Sequence, residues 1–340
     1  MSMRSFLCRL AAVAITAGLL TASVAQSADE RSYLLATAST GGTYYPVGVA
    51  IATLTKVKLQ PTQKISMSAI NSAGSGENIK LLRDNEVQFA ILQGLFGFYA
   101  RNGVGPLEKD GPQKDLRSVS MLWQNIEHFA LTADKAKTGT ISDLEDVKGE
   151  RMALGMKNSG TLGSSKFILK NLGIDAEASY ELTYGGYGPT VDAMQNGQIT
   201  GFGIPGGVPT GAITQVLAAM GDKIKILNFT DEQAKKADGG FELYTPYIIK
   251  AGTYPNQDKD IQTIAQPNFL AVRSDVDEDA VYQITKTIYE NLPFLNAIHK
   301  ATKDMALEKA LAGLPMPLHP GAARYFKEAG LTIPDRLMPQ

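Results

Sequence analysis

The strongest constraint on the fold is a pattern in which short apolar runs alternate with stretches of helical spacing. Near the start of the chain, apolar runs at 32–38, 64–70 and 87–93 predict strands, and the segments 46–56 and 76–84 between them predict helices. Strands that alternate with helices form parallel sheets covered by helices on both faces. The sequence therefore predicts an α/β protein.

The same pattern begins again near residue 151. Gly173 is suited to end the first helix of this second copy, because glycine readily takes the conformation found at helix C-termini. Two extended runs, 116–123 and 129–132, lie between the two copies. In the second copy, helices are predicted at 162–172, 188–196 and 210–220, and strands at 151–155, 178–183, 198–204 and 224–228.

The last fifth of the chain has a different character. A short predicted strand at 269–272 is followed by a long amphipathic helix at 277–291, where Ala280, Ile284 and Ile288 recur at helical spacing. Further helices are predicted at 293–298, 306–312 and 322–329. We expect this helical region to pack back onto the first copy of the pattern.

This organisation predicts two α/β lobes joined by a hinge. Residues 29–128 together with 270–340 form lobe one, and residues 129–269 form lobe two. Two linking segments, 127–131 and 269–272, form the hinge. In open α/β sheets, ligands bind outside the carboxyl ends of the strands. The cleft between the lobes is therefore the expected ligand site.

The N-terminus has the plan of a secretory signal peptide. Arg4 and Arg9 give it a basic start, an uncharged apolar run follows, and small residues close it. The apolar run of about fifteen residues is too short to span a membrane, which needs roughly 20 residues. We therefore predict that residues 1–27 are a cleavable signal peptide, cut after Ala25 or Ser27, and that the mature protein is periplasmic.

The composition argues against several classes of function. The only cysteine, Cys8, precedes the apolar run of the predicted signal peptide, so the mature chain has no lipidation site, disulfide or catalytic thiol. Without Arg4 and Arg9 the basic residues number 31 (33 − 2) against 34 acidic residues, which gives no basic excess for nucleic acid. The three histidines lack the spacing of metal ligands. We expect neither a cofactor nor a metal.

Three loops between a strand and a helix combine glycine with small hydroxyl residues. They are residues 39–46, 71–76 and 158–161. Glycine lets the backbone approach a ligand closely, free N–H groups at a helix N-terminus attract an anion, and hydroxyls add donors and acceptors. Ordinary N-capping explains each loop taken alone. Three such loops, spread over both predicted lobes, favour a binding site.

Two glycine-rich stretches do not complete a nucleotide-binding motif. Residues 155–160 begin like a phosphate loop, but Thr161 and Leu162 follow in place of the required Gly-Lys-Ser/Thr ending. Residues 201–206 match the dinucleotide fingerprint in letters, but their glycines fall within a predicted strand and Pro205 interrupts the turn into a helix. We expect no nucleotide site here.

Four stretches resemble the TAXI family, which comprises the extracytoplasmic solute receptors of TRAP transporters and is also known as the immunogenic surface protein family. These stretches are Thr-Gly-Gly-Thr-Tyr-Tyr-Pro at 40–46, the loop and helix start at 71–79, the helix start at 209–213, and Leu-His-Pro-Gly-Ala-Ala-Arg-Tyr-Phe-Lys-Glu-Ala-Gly at 318–330. The resemblance extends over about residues 33–331. The first and last stretches are the most specific.

The resemblance implies an α/β fold of the type II periplasmic-binding-protein class, whose two lobes close on a ligand about a hinge. It implies small carboxylates as ligands, such as glutamate and related C5 acids. It also implies two membrane partners, the small and large integral subunits of a TRAP transporter driven by an ion gradient.

By the same resemblance, the cleft is lined by residues of the three loops and of neighbouring strand ends. These residues are Gly42, Thr43, Tyr44, Asn71, Ser75, Gln93, Ser159, Gly160, Thr161, Gly207 and Pro209. The chain departs from the family pattern at Lys157, which either contacts a second carboxylate of the ligand or is a solvated lysine. It also departs at Trp123, which either walls the pocket or belongs to the core of lobe one.

The sequence thus predicts a receptor, and not an enzyme, that captures a mono- or dicarboxylate and delivers it to a TRAP transporter. One alternative is the binding protein of an ATP-driven importer, with a neutral or cationic ligand. Another is a component that delivers its ligand to a membrane sensor. A periplasmic enzyme would need a reactive constellation of residues, to which no sequence motif points.

Overall fold

The computed structural model describes residues 30–339, so the predicted signal peptide at 1–27 lies outside the described residues. The described chain forms two β-sheets with helices packed against them, which confirms the predicted α/β class. None of its helices combines the length and the apolar character needed to cross a membrane.

The described strands alternate with helices along most of the chain. The strands are β1 (Arg31–Ala36), β2 (Ile65–Ile70), β3 (Phe89–Gln93), β4 (Leu116–Ile126), β5 (Phe129–Thr132), β6 (Arg151–Ala153), β7 (Glu181–Thr183), β8 (Gly201–Gly203), β9 (Ile224–Ile226), β10 (Thr245–Ile249) and β11 (Ile261–Arg273). The α-helices are α1 (Tyr44–Gln63), α2 (Ser75–Arg83), α3 (Gly94–Asn102), α4 (Gly160–Leu172), α5 (Ala176–Ser179), α6 (Tyr187–Gln195), α7 (Gly211–Met220), α8 (Asp231–Asp238), α9 (Glu278–Glu290), α10 (Leu292–Ile298) and α11 (Pro320–Glu328).

The first sheet has the strand order β10-β11-β3-β1-β2, with β4 paired to β11. The strands β1, β2 and β3 are parallel, and β1 aligns Leu35 with Ala69 of β2 and with Phe89 of β3. In contrast, β11 runs antiparallel to β3, β4 and β10. Helices α1, α9, α10 and α11 complete the core of this lobe, so the C-terminal region packs back onto the first copy of the pattern.

The second sheet has the strand order β7-β6-β8-β5-β9. Its strands β6, β7 and β8 are parallel, and β5 runs antiparallel to β8 and β9. Two buried apolar clusters lie on this sheet: one includes Phe129 and Ile168, and the other includes Phe202 and Val216. In both lobes helices follow the ends of parallel strands, with α1 after β1, α2 after β2, α4 after β6 and α6 after β7.

The strands β4 and β11 connect the two lobes. Along β11, the side chain of Ile261 packs in a core of the second sheet and that of Val272 packs in the core of the first. Beside it, the Glu127 N–H donates to the Ile264 carbonyl at 2.9 Å. We propose that the hinge between the lobes lies in this part of β4 and β11, and that residues 129–269 form lobe two. Strand β10 belongs to this range of residues but pairs at the edge of the first sheet.

Helix boundaries follow local sequence signals. The Asp277 side chain accepts the Ala280 N–H at the start of α9, and Thr230 with Gln233 forms a capping box on α8. Gly173 ends α4 with φ of +99°, in agreement with its predicted role.

Several elements differ from the sequence predictions. The sheets are mixed rather than parallel. Strands β10 and β11 pair antiparallel because only residues 250–260 connect them, whereas a parallel pair needs a crossover of about a dozen residues or more. Helix α3 was not predicted, because Gly94 and Gly97 lower its helix propensity. Packing requires the second glycine, since a Cβ there would lie 2.3 Å from Pro315. The predicted helix at 306–312 is only a 3-10 turn at Leu307–Lys309.

Candidate ligand-binding site

Five helices begin at the wall of one cavity between the two sheets. The residues before their first turns are Thr43 for α1, Gly74 for α2, Gln93 for α3, Ser159 for α4 and Gly186 for α6. All five residues line the cavity. The first N–H groups of an α-helix have no partner within the helix, and the helix dipole places partial positive charge there. The wall therefore concentrates N–H donors and positive potential.

The loops before these helices bring the backbone to the cavity. Gly74 has φ of +112°, a conformation that residues with a Cβ atom rarely adopt. The Ser159 hydroxyl caps α4 by accepting the Leu162 N–H at 3.0 Å, which satisfies a donor deeper in the first turn. Gly160 and Thr161 occupy the first two positions of α4 and line the cavity. Their N–H groups thus belong to the end of the helix that borders the cavity.

Glycines allow the two lobes to approach each other at this wall. A Cβ atom on Gly160 would lie 2.8 Å from both the Ser75 hydroxyl oxygen and the Gln93 side-chain oxygen. A Cβ atom on Gly42 would lie 3.0 Å from the Tyr187 ring. Cβ contacts as short as these are rare in proteins, so a larger residue at either position would push against side chains of the facing lobe.

The lobes are in direct contact around the cavity. The Glu77 N–H of α2 donates to the Asn158 carbonyl at 2.9 Å. The Thr43 hydroxyl donates to the Gly207 carbonyl at 3.1 Å and accepts the N–H of the same glycine at 3.0 Å. The structure therefore shows a closed arrangement of the two lobes.

The closed cavity is small. The space open to the centres of water molecules is about 30 Å³, and one water needs roughly 10–15 Å³ of such space. In this arrangement the cavity has room for about two or three waters, or for a ligand of comparable size. A larger ligand requires the lobes to lie further apart.

The cavity wall is polar but carries no ionised side chain among the described residues. Its polar groups are hydroxyls, amides and backbone N–H groups. Burial raises the pKa of Tyr44 well above its ordinary value, and burial likewise raises the pKa of Tyr187. Both phenols are therefore neutral, and the Tyr187 hydroxyl donates to the Pro205 carbonyl at 2.6 Å.

Glu127 and His128 lie next to each other where β4 leaves the first sheet, and both are fully buried. Burial raises the pKa of Glu127 to about 8, and Ser164 and Gln266 offset part of this effect. Neither carboxyl oxygen of Glu127 has a hydrogen-bond partner of good geometry among the described residues. The acidic group near the cavity is therefore largely protonated, and so neutral, at pH 7.

Burial lowers the pKa of His128 to about 4, so its imidazole is neutral. Its Nδ1 lies 3.0 Å from the Ile204 carbonyl, which can only accept, so Nδ1 carries the proton. Its Nε2 then accepts from the Tyr254 hydroxyl at 2.9 Å. The Tyr254 oxygen in turn accepts the Thr210 N–H at 3.0 Å, which ties the start of α7 to the hinge.

Eight of the predicted site residues lie together in the wall of this cavity. They are Gly42, Thr43, Tyr44, Ser75, Gln93, Ser159, Gly160 and Thr161. Two others lie on the exposed surface outside it, Asn71 and Lys157. The Lys157 ammonium is 5.0 Å from the centroid of the Tyr184 ring, in the groove between α2 and α4.

The remaining three predicted residues do not line the cavity, and two of them, Trp123 and Gly207, contact its wall. Trp123 is completely buried in the core of the first lobe, where its ring meets the Tyr44 ring edge-on at 5.9 Å. Gly207 forms two hydrogen bonds with Thr43 and packs against the Trp123 indole. Pro209 is joined to Val208 by a cis peptide bond and is half-buried in the loop before α7.

Two functional candidates in the wall were missed by the sequence analysis. Tyr187 follows a Gly-Gly pair at 185–186 between a strand and a helix, so the loop composition that marked the other three loops also marks this one. Asn125 lies within β4 and has no local signal, because an amide in a strand is ordinarily read as solvent-facing. Both line the cavity.

Within residues 30–339, no group of three or more His, Cys, Asp and Glu side chains is arranged to hold a metal ion. The cavity wall offers no set of ligands for a cofactor metal, because its acceptors are single hydroxyls and amides rather than carboxylates or imidazoles.

The architecture is of the periplasmic-binding-protein type. The fold is similar to that of the periplasmic binding protein BugD, with a TM-score of 0.53 and 12% sequence identity over 88% of this chain and 95% of that chain. It is also similar to a structure described as a periplasmic transporter, with a TM-score of 0.50 and 14% identity over 89% and 93% of the two chains. At such identities the likeness establishes the fold class alone.

Residues 35–330 match the NMT1-like family, and the chain therefore belongs to this family. The match covers most of lobe one and all of lobe two. This family match does not show the narrower assignment to the TAXI family that the sequence motifs suggested.

Proposed function

We propose that the protein is a periplasmic receptor that binds a small carboxylate and delivers it to the membrane subunits of an import system. The observation that supports this proposal is the convergence of five helix N-termini on one uncharged cavity between the two lobes. Each helix N-terminus acts as roughly half a positive charge. Together they favour an anion over a neutral or cationic ligand.

The cavity favours a monocarboxylate over the C5 dicarboxylates that the family resemblance implied. A second carboxylate would need a cation or a second set of donors, and no Lys, Arg or charged His is among the described wall residues. Burying an unpaired charge is costly. The space in the cavity, enough for about two or three waters, is closer to the size of a short monocarboxylate than to that of a C5 diacid. A ligand of three carbons requires the lobes to lie slightly further apart than in this structure.

The wall groups support binding rather than turnover. Near neutral pH, hydroxyls, amides and backbone N–H groups hold a ligand but do not exchange protons readily. Closure of the lobes over the ligand would present a new surface to a membrane partner, and ligand favours the closed state only through contacts made there. Such contacts come from both lobes in this cavity.

The membrane partner is part of the proposal. The sequence motifs favour a TRAP transporter with small and large integral subunits. Membership of the NMT1-like family does not support that narrower assignment and leaves the ATP-driven importer as the better-supported alternative. Delivery of the ligand to a sensor is a third outcome. Uptake of labelled ligand by cells distinguishes the first two, because collapse of the ion gradient stops one and depletion of ATP stops the other.

The ligand proposal is tested on mature protein that has been unfolded and refolded to remove any carried ligand. We expect acetate, propionate and other short monocarboxylates to raise the melting temperature, and sugars and polyamines to leave it unchanged. A ligand at 100 times its dissociation constant adds about 2.7 kcal/mol of stability. Stabilisation by sugars or amines alone would contradict the proposal.

A matched pair of glycine variants tests whether the cavity is the site. Gly160→Ala places a Cβ atom against Ser75 and Gln93, whereas Gly188→Ala, also in the first turn of a cavity helix, meets no atom within 4 Å. Overpacking costs about 1–3 kcal/mol, so we expect Gly160→Ala to weaken binding roughly 5- to 150-fold. Gly188→Ala is expected to bind like the wild type. Equal affinities for all three proteins would place the ligand elsewhere.

A further inference from the structure

Four buried amide side chains form a row across three neighbouring strands of the first sheet. Gln93 of β3 pairs with Asn268 of β11, and Gln266 of β11 pairs with Asn125 of β4. All four are at most 3% exposed. Buried amides in central strands are expensive unless their hydrogen bonds are satisfied.

Two of the four amides are engaged by the protein. The Gln266 side-chain oxygen accepts the Leu95 N–H at 2.9 Å, and its nitrogen donates to the Tyr244 hydroxyl at 2.7 Å. The Asn268 oxygen accepts the Tyr44 hydroxyl. These hydrogen bonds hold the first turn of α3 and the Tyr44 side chain in place. The Asn268 side-chain nitrogen has no hydrogen-bond partner among the described residues, and Asn268 does not line the cavity.

The other two amides face the cavity with unsatisfied atoms. Both Gln93 and Asn125 line it. Within the described chain, the Gln93 side-chain oxygen and the Asn125 side-chain nitrogen have no hydrogen-bond partner. A ligand that pairs with both atoms offers a donor to the Gln93 oxygen and an acceptor to the Asn125 nitrogen.

We infer that Gln93 and Asn125 recognise a hydroxyl group next to the carboxylate, so that the ligand is a short-chain 2-hydroxy monocarboxylate. This inference rests on the proposed function, in which the helix N-termini bind the carboxylate. A hydroxyl is both donor and acceptor, and it matches the two free amide groups without adding charge.

Other substituents fit the wall less well. An ammonium group, as in an amino acid, would require a counter-charge, and the described wall residues include no Asp or Glu. A keto oxygen only accepts and leaves the Gln93 oxygen unsatisfied. An unsubstituted acid leaves both amides without a partner, and a site built to hydrogen-bond a hydroxyl discriminates strongly against an analogue that lacks it.

The test compares matched acids by calorimetry on refolded mature protein. The pairs are glycolate with acetate and lactate with propionate, and alanine and pyruvate complete the set. We expect each hydroxy acid to bind about 10- to 100-fold more tightly than its partner. Propionate equal to lactate, or alanine or pyruvate tighter than lactate, overturns the inference while the carboxylate proposal stands. If none of the acids binds, the proposed function itself fails.

Variants locate the recognition. Gln93→Met and Asn125→Leu keep side-chain size and remove the amide, and each is expected to reduce the lactate-to-propionate affinity ratio toward one. Gln124→Met is the matched control, because Gln124 neighbours Asn125 on β4 and does not line the cavity; its ratio should match the wild type. An unchanged ratio in both cavity variants overturns the assignment. If a variant does not fold, the wild-type ratio between the paired acids decides.

Discussion

Two ionisable residues near the ligand cavity, Lys157 and Glu127, lie in opposite surroundings. Lys157 is exposed in the groove between α2 and α4. Glu127 is fully buried beside the connection between the lobes, within range of Tyr44 and Tyr187. Water and salt screen an exposed charge, whereas a buried one is screened much less. We therefore expect the buried residue to have by far the larger effect on the protein.

The rest of the groove supports this contrast. Its charged side chains pair with each other on the surface, for example Arg83 with Asp110 at 2.9 Å and Lys166 with Glu177 at 2.9 Å. Exposed pairs of this kind contribute about 0–1 kcal/mol. The protein thus keeps charged side chains outside the cavity and relies on backbone dipoles within it.

The largest expected effect is that of Glu127→Gln on stability at alkaline pH. The folded pKa of Glu127, about 8, is above its ordinary value of 4.5, so between these pH values the folded state keeps a proton that the unfolded state has lost. Its contribution to the free energy of unfolding therefore falls as pH rises through this window, by roughly 1.4 kcal/mol per pH unit. Replacement by glutamine removes this fall.

The contribution of His128 to the free energy of unfolding rises with pH, because its folded pKa of about 4 is below its ordinary value of 6.5. Between about pH 4.5 and 6.5 the two contributions oppose each other, and above 6.5 only that of Glu127 remains. Chemical denaturation should show Glu127→Gln equal to the wild type near pH 4.5 and more stable by a few kcal/mol at pH 8. Glu86→Gln, at an exposed acid, is the control. A constant difference between pH 5 and 8 would contradict a neutral buried carboxyl.

An intermediate effect is expected for a neutral polar group in the cavity wall. Tyr187→Phe removes the hydroxyl that bonds to Pro205 and leaves that carbonyl without this donor. We expect the free energy of unfolding to fall by about 1 kcal/mol. Tyr184→Phe, at an exposed tyrosine, should be neutral. Equal stability of the two variants would show that water replaces the Tyr187 bond at no cost.

The smallest effect is expected for Lys157→Met. Because Lys157 lies outside the cavity and is solvated, the affinity for a monocarboxylate should change by no more than about twofold. Any change should be in the association rate and should disappear at high salt. A tenfold loss of affinity at high salt would place this ammonium at the ligand and would restore the dicarboxylate prediction.

The sequence identified most of the cavity wall because its signals are local. Glycine and hydroxyl residues before a helix predict exposed N–H groups from a few neighbouring residues, and the loops at 39–46, 71–76 and 158–161 supply Thr43, Gly74 and Ser159. The fold class followed from the same alternation of strands and helices. The loop at 185–186 has a similar composition and was predictable in principle.

The rest of the site depends on contacts between distant parts of the chain. Asn125 reaches the cavity only because β4 pairs with β11, some 140 residues later. The positions of Trp123 and Lys157 could not be predicted for the same reason. Tertiary packing, rather than the local sequence pattern, buries Trp123 and leaves Lys157 exposed. The strand β10 was not predicted, and the antiparallel direction of β11 was not predictable, because apolar runs do not report the direction of strand pairing.

We propose that helix N-termini in an uncharged cavity hold an anion. The most direct test is calorimetry of refolded mature protein with propionate and with propionamide, which has nearly the same shape and no charge. We expect that propionate binds, that Gly160→Ala weakens this binding, and that propionamide does not bind detectably. Equal binding of propionate and propionamide would contradict this proposal, because the positive potential of the helix N-termini would then have no role in recognition.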